Sequence, residues 1–212
     1  NNNTKLVKIA HTIRQETITF DDRVGKKIGW GNRQFKIVSM LGESSSVVYV
    51  VQDEATKKLY SLKMNSLTLR NNGEVYNWVG ETWWYEKYKT LFYESSKLPV
   101  LHIHQIGKSE QNPFIWKEYV LGFTVAEIKG YKTLFPDDMA DYLLQQQIVV
   151  QAQFKKQDKE FKSWLIKNNL DPKKDLTGEA LGRTERFIER GDAEDYNFVY
   201  DVIKNEWVCI DP

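Results

Sequence analysis

Near the end of the chain three side chains carry oxygen donors at close spacing: Asp192, Asn197 five residues later, and Asp211. Between Asn197 and Asp211 lie two short apolar runs, Phe198-Val199-Tyr200 and Trp207 to Ile210, separated by a charged turn. That pattern predicts a loop followed by a small hairpin, which would gather the three side chains around one spot. A hard cation such as Mg²⁺ takes oxygen ligands of this kind, one or two protein carboxylates together with phosphates and water. Each residue alone also has an ordinary reading, since Asp and Asn side chains commonly cap turns in loops.

Composition narrows the rest. At 212 residues the chain is one large domain or two small lobes. A net charge of +1 argues against nucleic-acid binding driven by bulk charge. A single cysteine, Cys209, leaves no internal disulfide and no Cys-rich zinc site, and its apolar neighbours point to a buried, inert thiol. No run approaches the roughly 18 apolar residues of a membrane span. No signal-peptide pattern opens the chain, which starts at Asn1 rather than Met. His102 and His104 share one face of an alternating stretch without a third ligand, so they read as surface or packing residues.

The elements that must position the oxygen donors follow in chain order. Residues 1–33 are polar and predict a loosely docked arm. Residues 34–41, 47–51 and 59–64 read as three strands joined by short turns, an antiparallel meander. From residue 74 to about 93, Trp78, Tyr85, Tyr88 and Phe92 recur at helical spacings, and Leu98-Pro99 closes the element. Two further strands, 100–106 and 114–120, complete five strands and one helix. From Gly122 the chain turns helical. Thr124 caps a short helix through Ile128, and Pro136-Asp137-Asp138 opens a long one that reaches Leu165 with a break near Lys155. Thr177 caps another helix to about Ile188.

This order resembles the protein-kinase-like superfamily, and the resemblance can be followed on particular segments. Leu41 to Val51 (LGESSSVVYVV) is similar to the nucleotide-covering loop, and YSLK puts Lys63 fifteen residues after Val48. Trp116 to Gly122 (WKEYVLG) is similar to the hinge, RGDAEDYN to the catalytic loop, and CIDP to the metal-binding segment. The resemblance implies an α+β, bilobal fold: an arm (1–33), a five-stranded antiparallel lobe with one helix (34–121), and a short, mainly helical lobe (122–212). It further implies Mg-ATP as cofactor, with Mn²⁺ as a substitute. Gly42, Ser44, Ser45, Ser46 and Val48 would cover the nucleotide, and the backbone at Glu118 to Val120 would meet the adenine edge. Lys63 would pair the α and β phosphates, held by Glu81 eighteen residues on, or by Glu86. Asn197 and Asp211 would hold Mg²⁺, and Asp192 would accept the proton of the attacking hydroxyl.

Departures from the family pattern open alternatives. Only Gly42 remains in the covering loop, Arg190-Gly191 replaces the usual His-Arg before the catalytic Asp, and Lys117 stands where a neutral residue is usual. Asp211 is followed by Pro212 and no activation segment, which fits either a fragment or an abbreviated kinase similar to those among bacterial effectors. The expected activity is transfer to a protein hydroxyl, Ser or Thr before Tyr. The alternatives are an inactive pseudokinase scaffold and, behind it, a small-molecule kinase, for which Gly191-Asp192 speaks. The expected partners are a protein substrate and a regulatory protein on the 123–189 helices, without nucleic acid or membrane. The expected location is the cytoplasm, with delivery into a host cell as its variant.

Overall fold

The computed structural model describes residues 2–17, 21–43, 46–65, 78–109 and 112–212. They fall into two compact units. The sheet unit comprises Thr17–Glu81 and His102–Tyr119, and the helical unit comprises Asn1–Glu16, Thr82–Leu101 and Val120–Pro212. The continuous ranges expected from sequence, 1–33, 34–121 and 122–212, differ from this interleaved division.

The sheet unit is built on β1 (Lys27–Trp30), β2 (Arg33–Glu43), β3 (Ser46–Asp53), β4 (Leu59–Asn65), β5 (Ile103–Ser109) and β6 (Asn112–Glu118), in the order β1-β2-β3-β4-β6-β5. All pairs are antiparallel. Strand alternation sorts the side chains by face. The rows Val47–Met64–Phe114 and Tyr49–Leu62–Trp116 lie in a buried aromatic and aliphatic core. The opposite face carries the rows Val48–Lys63–Ile115 and Val50–Ser61–Lys117.

Six strands replace the expected five, and the extra one is β1. Its polar surroundings hide it in the sequence. The two-residue loop Gly31–Asn32, with Gly31 at φ 58°, closes the β1–β2 hairpin, a position for which glycine is suited. Trp30 then stacks on Phe35 and Phe114, with ring centroids 4.5 and 4.3 Å apart. The remaining strands match expectation within a few residues, except that Val100 forms only an isolated bridge to Cys209.

The helical unit contains α1 (Asn2–Glu16), the part of α2 (Trp78–Ser95) from Thr82 on, β7 (Gly122–Phe123), α3 (Val125–Gly130), α4 (Met139–Asp158), α5 (Phe161–Lys167), α6 (Pro172–Asp175), α7 (Gly178–Arg190), β8 (Phe198–Asp201) and β9 (Glu206–Cys209). The loosely docked arm is corrected here: its first half is a helix. Leu6, Ile9, Ala10 and Ile13 recur at i, i+3, i+4 and i+7 and are buried in the unit's core, and Arg14 pairs with Glu127. Ordering the helix is offset by burial of roughly 1.5–3 kcal/mol for each large apolar side chain.

Local signals place the other helices. Thr124 caps α3 in a reciprocal box: its hydroxyl accepts from Glu127 N, and the Glu127 carboxylate accepts from Thr124 N. The long helix from Pro136 starts later than expected, at Met139, and breaks after Asp158 rather than near Lys155. The break lets Phe161, fully buried, turn into the core at the head of α5. Thr177 does precede α7, but its side chain makes no capping bond.

The small sheet β7-β8-β9 pins the end of the chain, as the expected hairpin requires. Trp207, 2 % exposed, donates its indole N–H to Leu143 O at 2.9 Å, and Cys209 is buried and free. Gly122 is needed where β7 meets β8, since a Cβ there would lie 1.8 Å from Tyr200 O, a backbone atom that cannot yield. Gly122→Ala should therefore lower unfolding free energy by about 3 kcal/mol, measured by denaturant titration. Gly130→Ala, on open surface, should leave it within about 0.5 kcal/mol.

Candidate functional site

In the helical unit, α7 ends at Gly191, whose φ of 72° and N–H bond to Phe187 O at 2.8 Å stop the helix just before Asp192. A left-handed residue here favours glycine. The chain then runs through a 3₁₀ turn, Asp195–Asn197, into β8. Asn197 is 2 % exposed, and its Nδ2 donates to Asp192 O at 2.5 Å. A carbonyl can only accept, so this bond sets the amide's orientation and leaves Oδ1 as the side chain's remaining acceptor. On the other side Ile210 N donates to Asn197 O at 2.8 Å, while Phe198 pairs with Cys209 across the hairpin. One residue thus ties the Asp192 loop to the segment carrying Asp211. The structure brings the Asp192 loop, Asn197 and the segment carrying Asp211 side by side.

The electrostatics agree. The phenol of Tyr85, on α2, is held well above its ordinary pKa, first by burial and then by the carboxylates of Asp158, Asp192 and Asp211 and the thiol of Cys209. The exposed Tyr196 is also raised, first by desolvation and then by Asp192, Glu194, Asp211 and Asp195. Acids from both ends of the loop-hairpin segment therefore act on the same two phenols. Among the described residues no three His, Cys, Asp or Glu side chains form a cation cage. One amide oxygen with neighbouring carboxylates fits a hard cation that completes its shell with phosphate and water.

In the sheet unit, Gly42, Val48, Lys63 and Ile115 are successive cross-strand partners on β2, β3, β4 and β6. β2 and β3 stay paired up to Glu43 and Val47. Ser46 is buried at its edge, whereas Ser44 and Ser45 lie outside the described residues. Lys117, 4 % exposed, lies one row from Lys63 on the same face. Glu118 O accepts from the Ser61 hydroxyl at 3.0 Å. The Glu118 carboxylate meets Lys58 at 3.2 Å and His104 at 3.1 Å. Val120 opens the next segment of the helical unit.

On α2 the side chain of Glu81 lies outside the described residues, and Glu86 is 4 % exposed. Lys89 and Asp158 form a pair that no local sequence pattern marks. Lys89 follows Tyr85 by one helical turn, so a lysine sat at a phase the aromatic pattern marks as buried. It is fully buried and pairs with Asp158 Oδ1 at 2.8 Å.

No family model matches the chain, and no curated protein does. Solved structures similar to it include a variant of the Mycobacterium tuberculosis PknI kinase domain, 15 % identical over 92 % of this chain and 62 % of that one, with TM-score 0.45. A double variant of the same domain is 17 % identical over 91 % of this chain and 63 % of that one, again at 0.45. Vaccinia related kinase 3 is similar over 62 % of this chain and 39 % of its own, at 15 % identity and TM-score 0.32. The chain thus spans less than two thirds of the PknI kinase-domain chains it matches.

The Asn197 amide is open to test. Asn197→Ala strips the Asp192 carbonyl of its donor and should cost about 1–3 kcal/mol of stability by denaturant titration. Tyr85 and Tyr93 are both raised, first by burial and next by Asp158. A raised phenol pKa stabilises the fold below the unfolded value near pH 10, and that contribution is lost as pH rises toward the folded value. Lys89, lowered first by burial, acts in the opposite sense only up to the unfolded lysine value near pH 10.4. Stability should fall above about pH 10, by roughly 1.4 kcal/mol per pH unit for each phenol. The slope should be shallower in Tyr93→Phe.

Proposed function

We propose that this chain is a protein-kinase-like phosphotransferase that moves the terminal phosphoryl group of Mg-ATP to a protein hydroxyl, Ser or Thr before Tyr. The observation that carries the reading is the Asn197 tie, which holds Asp192 and the Asp211 segment on either side of one buried amide. The cross-strand row that sets Lys63 opposite Val48 supports it from the sheet unit.

Phosphoryl transfer asks little covalent chemistry of a protein; positioning and charge neutralisation do most of the work. Lys63 would pair with the nucleotide phosphates, with Glu81 or Glu86 as its carboxylate partner. The backbone at Glu118 and Val120 would meet the adenine edge, and Gly42 with Ser44, Ser45, Ser46 and Val48 would cover the nucleotide. Asn197 and Asp211 would hold the cation, which when bound neutralises charge on the phosphates. Asp192 would orient the acceptor hydroxyl and take its proton.

A second reading, a non-catalytic scaffold, is favoured by Lys117, a buried ammonium one row from Lys63 at the position where a neutral side chain is expected beside adenine. Incubation with labelled ATP, Mg²⁺ and cell lysate separates the two. An active kinase labels a protein, and Asp192→Ala and Asp211→Ala each reduce labelling by about a thousand-fold without loss of fold. Saturating Mg-ATP at 100 times its Kd should stabilise the wild-type chain by about 2.7 kcal/mol, and Asp211→Ala should lose most of that. Stabilisation without product would establish the scaffold, and neither result would end both readings.

A further inference from the structure

A lysine with no exposed surface is rare, because taking an ammonium out of water costs several kcal/mol unless close partners offset it. Lys89 is such a residue, and its surroundings are specific. Its Nζ lies 4.3 Å from the Phe161 ring centroid and faces Tyr93, Tyr85 and Phe92 at 5.2, 5.6 and 5.9 Å. Its carboxylate partner is Asp158, the last residue of α4, at 2.8 Å. The Tyr93 hydroxyl donates to the same oxygen, Oδ1.

The other carboxylate oxygen has a different neighbour. A Cβ on Gly191 would lie 2.8 Å from Asp158 Oδ2, so the carboxylate packs against the residue immediately before Asp192. The same helix reaches the residue immediately after it. Gln151, seven residues before Asp158, donates from Nε2 to Ala193 O at 2.7 Å and accepts from Gln147 Nε2 at 3.0 Å. Seven residues make two helical turns, so both groups project from one face of α4. The backbone on each side of Asp192 therefore rests on α4, and Lys89 with Tyr93 holds one of those two supports.

We propose that Lys89 and Asp158 form a buried positioning pair that sets the backbone course of the 191–197 loop and so the presentation of Asp192. Ordinary core stabilisation would not need a carboxylate wedged between an ammonium and a loop glycine, since an apolar pair of similar volume does that as well or better.

Two variants test this without touching any residue assigned to phosphate, cation or hydroxyl. Asp158→Asn keeps the shape and removes the charge, and Tyr93→Phe removes one donor to Asp158. Amide hydrogen exchange on the full chain should show residues 191–197 exchanging about ten-fold faster or more in Asp158→Asn and a few-fold faster in Tyr93→Phe, with β8, β9 and the sheet unit unchanged. An unchanged loop, or an increase spread evenly over the helical unit, would overturn the proposal. Should Asp158→Asn fail to fold, Tyr93→Phe decides on the same criterion. A kinetic readout rests on the phosphoryl-transfer reading. There kcat should fall about 10- to 100-fold with the KM for ATP within about three-fold, and the reverse split would overturn the positioning role. A wild-type chain without phosphoryl transfer would refute the proposed function and leave the exchange result to decide this one.

Discussion

The amide of Asn197 is the tie on which the acid cluster of the helical unit depends. Its nitrogen is committed to the Asp192 carbonyl, and its own backbone carbonyl is committed to Ile210 N. Neither bond has water to fall back on, because the side chain is buried, and in a low-dielectric setting an unmade bond is expensive. Two acidic segments that would repel each other in an open chain are therefore kept adjacent by hydrogen bonds between neutral groups. The hairpin β8–β9 supplies the rigidity, with Trp207 anchoring it to α4.

The sheet unit solves a different problem with simpler means. The pleat alone separates an aromatic core from a face that carries Lys63 and Lys117. A one-residue slip in register would move Lys63 into the row of Leu62 and Met64, so burial of that core is what specifies the lysine's face. Stacking of Trp30 on Phe35 and Phe114 closes the core with a strand whose own sequence is short and polar at its start.

Legibility followed the locality of each signal. The strand meander, the Thr124 cap and the final hairpin declare themselves within a few residues, and all three are present. The adjacency of the Asp192 loop, Asn197 and the segment carrying Asp211 is readable because their spacing and the hairpin between them are local too. α1 was misread because its apolar stripe, Leu6, Ile9, Ala10 and Ile13, is thin and sits among polar neighbours, and its partners lie more than a hundred residues away. Lys89 and Asp158 were invisible for the same reason. They lie far apart in the chain, and only the packed core shows that one neutralises the other. β1 was lost because a four-residue strand gains its stability from the sheet it joins, not from its own propensity.

The interleaving of the two units has a consequence for how the chain is made. All strands of the sheet unit have been synthesised once Glu118 has left the ribosome, whereas the helical unit needs α1 from the start of the chain and β9 from near its end. During elongation the greasy side of α1 must wait, uncovered, for partners that emerge long after it. Long-range closure of this kind is slow and exposed to aggregation. The growing polypeptide would thus depend on chaperone shielding at α1, and the acid cluster would come together only after every strand of the sheet unit has emerged.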